Sequence, residues 1–167
     1  TINGINWSNN NNDNTWMFGI VVSAGDVTIG ASGEPNTIGS ITGTPNSSFT
    51  YDGSGSIFVP VCLNGSGYIN CQYNNIGGIT CNNTNSASVT RLYCIYRGNN
   101  NANAIISNNT IGSSTNPVTL TSPATGDVQY MIGICNNSSA ATGLTMNNNT
   151  ISYLNNQTTG SSAGYVC

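Results

Sequence analysis

The phrase Asn108, Asn109, Thr110, Ile111, Gly112 returns forty residues later as Asn148, Asn149, Thr150, Ile151, Ser152 (148−108 = 40). Looser copies stand at Asn36-Thr37-Ile38-Gly39 and Asn74-Asn75-Ile76-Gly77, with Thr1-Ile2-Asn3 reading as the end of one more. Aligning the isoleucines gives spacings of 38−2 = 36, 76−38 = 38, 111−76 = 35 and 151−111 = 40. A recurrence of that length is one supersecondary unit repeated along the chain, and it restricts the fold to stacked or radial repeats.

Between markers the pattern is constant. Each pass holds a strong apolar run (Trp16 to Val22, Ile57 to Cys62, Leu92 to Tyr96, Tyr130 to Cys135), a shorter run and the marker, then a polar stretch. Helices are not expected: no window repeats apolar residues at i, i+3, i+4 and i+7, and Asn, Ser, Thr and Gly weaken helical hydrogen bonding. The expectation is an all-β parallel β-helix, a solenoid of about four coils of 35–40 residues with three short strands and one long loop per coil. Residues 1–167 form a single such domain with open ends. Ile2, Ile38, Ile76, Ile111 and Ile151 should make one inward column, and Phe18, Phe58, Tyr93, Met131 and Tyr165 a second. The Asn just before each marker isoleucine suits a tight corner, where it tolerates left-handed geometry and its amide bonds to the copies above and below. Pro60 cannot donate a ladder bond and demands a bulge or an unpaired position.

Charge excludes several partners. Only 4% of residues are charged, and the basic side chains are Arg91 and Arg97 against five acids. Such a chain cannot neutralise many phosphates, so nucleic acid and anionic membrane surfaces are improbable. No stretch reaches the roughly 18 apolar residues of a membrane-spanning helix. Six cysteines with no His and no Cys-x-x-Cys pair favour disulfides over zinc, hence an oxidising, extracellular or cell-surface setting. Equal separations (94−62 = 32 and 167−135 = 32) suggest Cys62 with Cys94 and Cys135 with Cys167, leaving Cys71 with Cys81. Two readings compete with this. Matching Phe58 to Tyr93 puts Cys62 and Cys94 about three residues out of register, some 10 Å, and several cysteines could instead serve as small buried apolar residues.

The marker, with an apolar residue five before its isoleucine (Ile106, Met146), resembles the right-handed parallel β-helix repeats of large secreted bacterial surface proteins, including those of Bacteroidota. Relatives of that fold include polysaccharide lyases and hydrolases, adhesin passenger domains and phage tailspikes, so the resemblance implies an extracellular role. Asp13, Asp26, Glu34, Asp52 and Asp127 lie in or beside loops and form no column, so no enzyme, metal or cofactor is expected. The leading expectation is a structural subunit of an extracellular fibre, stalk or adhesin, joined to copies of itself head to tail through uncapped ends. The alternative is a carbohydrate-binding module, or less favourably a polysaccharide-degrading one. It uses exposed aromatics among Trp7, Trp16, Tyr51, Tyr68, Tyr73, Tyr96 and Tyr153, and three of them on one outer face would favour it. Sequons in expected loops, Asn46, Asn64, Asn82, Asn136 and Asn156, are candidate glycosylation sites, whereas Asn108 and Asn148 are assigned to the ladder.

Overall fold

The computed structural model describes residues 1–2, 4–9, 16–40, 47–52, 55–87, 89–98, 103–125, 128–138, 143–161 and 164–167, without the side chains of Trp7, Asn9 and Trp16. Among the described residues there is no helix. The chain cycles through four strands per coil. The first pass is β1 (Asn6–Asn9), β2 (Trp16–Val22), β3 (Val27–Ile29) and β4 (Thr37–Gly39), and the second β5 (Ser47–Tyr51), β6 (Ser56–Leu63), β7 (Ile69–Gln72) and β8 (Asn75–Gly77). The third is β9 (Ile79–Asn83), β10 (Thr90–Arg97), β11 (Ala104–Ser107) and β12 (Thr110–Ile111), and the fourth β13 (Val118–Ser122), β14 (Gln129–Asn136), β15 (Leu144–Asn147) and β16 (Thr150–Ile151). A fifth opens with β17 (Leu154–Thr158) and β18 (Gly164–Val166). Like strands pair in parallel into four sheets, two of five strands and two of four, stacked as a β-solenoid of about three turns. Three strands per coil were expected. The stretch expected as a long loop carries the fourth, in β1, β5, β9, β13 and β17, whose Ser, Thr and Asn content hides their alternation.

Register builds the interior. Ile2, Ile38, Ile76, Ile111 and Ile151 stand in one column through successive parallel pairings. The second column is Met17, Phe58, Leu92, Met131 and Val166, not the one expected. Phe18 is instead level with Val59, Tyr93 with Ile132 and Tyr165 with Tyr130. These three are one position off the core column, and in a strand a slip of one residue moves a side chain to the opposite face. Cys71 with Ile106, and Cys81 with Leu120, add two further rows of the buried cluster. At about 25 cal/mol per Å² of apolar surface removed from water, these columns drive the stacking of each coil on the next.

The long strands bend. Pairing is interrupted between Phe18 and Ile20, between Phe58 and Val61, between Leu92 and Ile95, and between Ile132 and Ile134 across Gly133. Pro60 therefore sits where the ladder is open, as its missing N–H requires. Beside it, a Cβ on Gly19 would run into the Pro60 carbonyl oxygen, so glycine is the residue that lets the two backbones approach. The bend shifts the inward phase: Phe58 and Leu92 face the core before it, and Val61 and Ile95 after it.

At the corner before the last short strand runs an asparagine ladder. The Asn36 side-chain amide donates to Asn74 Oδ1 (3.1 Å), that of Asn74 to Asn109 Oδ1 (2.9 Å), and that of Asn109 to Asn149 Oδ1 (3.0 Å). The same side chains satisfy backbone groups: Asn109 Oδ1 accepts the Asn74 N–H, and Asn109 Nδ2 donates to the Cys71 carbonyl. Ladder and left-handed geometry fall on different residues. Asn108 and Asn148 have φ of 58° and 52°, and Tyr73 holds the equivalent place at 56°. Asn108 and Asn148 are thus neighbours of the ladder rather than members.

Candidate functional site on the outer face of the bent sheet

The sheet β2, β6, β10, β14 and β18 turns a row of large side chains outward. One row is Ile57, Arg91, Tyr130 and Tyr165, and another is Val21, Cys62, Tyr96 and Cys135. Tyr93 and Tyr96 are three residues apart and would occupy opposite faces of a straight strand. The bend at Cys94 and Ile95 brings both outward, where their rings stack with centroids 5.4 Å apart and planes at 16°. Tyr130 and Tyr165 stack likewise at 5.9 Å and 15°, and the Arg91 guanidinium carbon lies 5.9 Å from the Tyr130 ring centre. That distance is within cation–π range.

A cleft of about 240 Å³ opens beside the first pair, lined by the apolar and aromatic Phe18, Val59, Tyr93 and Tyr96, by Cys62 and Cys135, and by the polar Arg91, Asn64 and Asn137. Asn137 Nδ2 donates to the Tyr96 hydroxyl at 3.0 Å. Burial raises the Tyr93 hydroxyl above the usual phenol range, an effect the Arg91 charge opposes. Burial also raises the Cys62 and Cys135 thiols, so neither is an activated nucleophile. Among the described residues no carboxylate lines this cleft. Sequence reasoning had named only Tyr96 of these residues as a binding aromatic. The bend that assembles the rest had one visible sign in the sequence, Pro60.

The cysteines are arranged otherwise than their spacing suggested: all six are free thiols. Cys62 is level with Tyr96 and lines the outer cleft, whereas Cys94 belongs to the interior cluster. Cys135 is also level with Tyr96. The Cys167 amide donates to the Met131 carbonyl and its carbonyl accepts from Gly133, which sets it beside Ile132, three positions (135−132) from Cys135. At about 3.3 Å per residue that offset is roughly 10 Å, too far for a disulfide. Cys71 accepts a hydrogen bond from Asn74 Nδ2 (3.4 Å), and Cys81 lies in the field of Cys94 rather than closing a loop with Cys71.

The sequon asparagines expected in protruding loops are mostly in strands. Asn82 is in β9, Asn136 ends β14 and accepts from Arg97 Nη1 (3.0 Å), and Asn156 is in β17 level with Leu120. Asn64 follows β6 and is exposed, and Asn46 lies outside the described residues. Asp26 Oδ1 accepts the Tyr68 N–H (2.7 Å), fastening one turn to the turn of the next coil. Glu34 is exposed and Asp52 half-buried, while Asp13 and Asp127 lie outside the described residues. Among the described residues no three His, Cys, Asp or Glu groups are arranged to hold a metal ion. No family model, no curated protein and no solved structure matches the chain.

Proposed function

We propose that the chain is a structural β-solenoid element of an extracellular fibre, stalk or adhesin that lengthens by coil-on-coil addition of further copies. The observation that carries this is the apolar last rung. Ile151 is 42% exposed although its column mates Ile76 and Ile111 are at 0%, and Met146 is 49% exposed where Cys71 and Ile106 are at 0%. Tyr153 lies open just after this rung, and Val166 lies open on β18, which begins the fifth. Contiguous apolar surface of this kind marks an interaction site, and a parallel β-edge is a template for another strand. A second copy fits it in kind, since its own Ile2 already occupies the first rung of the isoleucine column through its bridge to Ile38. The contact is heterologous and does not close on itself, so it generates rods. The extracellular setting rests on the resemblance to secreted repeat proteins, because free thiols give it no support.

Sedimentation velocity over a hundredfold concentration range, with negative-stain electron microscopy, tests the reading. Concentration-dependent rods that vanish in Ile151→Asp and Met146→Asp variants of unchanged circular dichroism are the expected result. A monodisperse monomer at every concentration sinks it.

A further inference from the structure

The cleft on the bent sheet stands apart from the end face and has its own chemistry. We propose that it binds a pyranose ring of a glycan, with neighbouring rings of the same glycan crossing the outer face toward Tyr130 and Tyr165. A pyranose presents apolar C–H faces and a rim of hydroxyl groups. The cleft offers the complement: Phe18 and Val59 with the rings of Tyr93 and Tyr96 supply apolar lining, and Asn64, Asn137 and Arg91 supply polar groups. Aromatic walls with a few placed polar groups are the usual composition of a small-ligand site.

Size and placement narrow the occupant. About 240 Å³ is below the range of a drug-sized pocket and suits one ring, and it is far too small for a protein interface. A single guanidinium, on a chain of net charge −3, does not make a polyphosphate site. Glycosidic cleavage ordinarily needs two carboxyl groups flanking the bond, and the described lining holds none, so binding is what is proposed. The aromatics also climb the stack. Tyr93 and Tyr96 are on the third rung, Tyr130 on the fourth and Tyr165 on the fifth, all on one face. Tyr130 and Tyr165 are level with Arg91, two residues along the strand from Tyr93, so a glycan leaving the cleft reaches them by running obliquely across rungs about 4.8 Å apart. The bend in β10 is what turns Tyr93 and Tyr96 outward together, and it gives the cleft its place on the third rung.

Affinity gel electrophoresis against hydroxyethylcellulose, galactomannan, xylan and polygalacturonate, followed by calorimetry with oligosaccharides of whichever retards the protein, tests the assignment. The Ile151→Asp background keeps the end face out of the measurement. Expected are retardation by at least one neutral polysaccharide, a loss of tenfold or more in affinity for Tyr93→Ala and Tyr96→Ala, and retained binding for Tyr96→Phe, which keeps the ring. Tyr153→Ala, on another face, binds as the parent does, and thermal melts establish that each variant is folded. Absence of retardation on all four polymers overturns the proposal. So does retardation indifferent to both tyrosine substitutions, or binding confined to polygalacturonate and abolished by Arg91→Gln alone, which would be charge attraction without ring recognition.

Discussion

Asn109 is the residue on which most depends. Toward the second coil its side chain accepts the Asn74 N–H and amide and donates to the Cys71 carbonyl, all buried, and toward the fourth it donates to the half-buried Asn149. Replacing it by alanine leaves the buried Asn74 N–H without its partner, worth about 1 to 3 kcal/mol, and removes the side-chain bond to the Cys71 carbonyl. Asn109→Ala is therefore expected to lose roughly 2 to 4 kcal/mol in urea denaturation, and Asn149→Ala, on the more open rung, less. Tyr73 supplies the opposite case. It holds a left-handed φ of 56° where Asn108 and Asn148 stand in later coils, and it is exposed. Tyr73→Asn should gain about 1 kcal/mol, read as a rise in melting temperature, since asparagine tolerates that geometry better. The sequence marked the corner by its paired asparagines, but it could not divide their duties, because both residue positions favour the same amino acid. The thiols carry a pH signature. Burial pushes Cys71 and Cys94 up to about 12, and Cys81 is raised as well. In the unfolded chain such thiols ionise near pH 8.5, so the native state holds more protons between those values. Stability is whole below about pH 8.5 and falls as pH rises toward 12, by up to about 1.4 kcal/mol per pH unit for each thiol. Denaturation midpoints at pH 7.5, 9 and 10 check the sign, and without denaturant a thiol reagent should reach Cys167 well before these three.

At the scale of the element the bend decides what is inside. Treating the strong runs as straight strands sends Phe18, Tyr93 and Tyr165 to the core, whereas the register places them outside with Val59, Ile132 and Tyr130. Pro60 announced an unpaired position in one coil. Its counterparts Gly19 and Gly133 carried no such signal in a chain of 20 glycines, and Cys94 looked like a strand residue. The cleft was illegible for the same reason, since it exists only once the bend puts residues three apart on one face. The fourth strand of each coil was hidden differently: VTLTS in β13 and LNNQT in β17 alternate, but among residues that also make turns. A direct test is Gly19→Val, whose side chain would press on the Pro60 carbonyl. A loss of roughly 1 to 3 kcal/mol is expected, with a weakened outer cleft, because Phe18 is next in the chain. Gly112→Ala should also be costly, since φ is 73° there and a Cβ would meet the Ser152 carbonyl oxygen.

Across the whole molecule, stability is a sum of rungs and their contacts. The period of the marker isoleucines was enough to fix the coil length and the all-β parallel stack, because each isoleucine must meet its copy above and below. The partner of the last rung was not legible, being a property of surfaces instead of patterns. Native-state hydrogen exchange should find the amides of β7 to β10 the slowest and those of β15 to β18 the fastest, and filament formation should slow the latter group selectively. The asparagine ladder adds something that hydrophobic rungs cannot. Asn36, Asn74 and Asn109 each give a side-chain amide hydrogen to the Oδ1 of the next rung, so this file of bonds points one way through the molecule. Two copies meeting tail to tail would set hydrogen against hydrogen at that corner, and two meeting nose to nose oxygen against oxygen. Any rod the protein builds is thereby a vector, with a growing tip and a base that are chemically different.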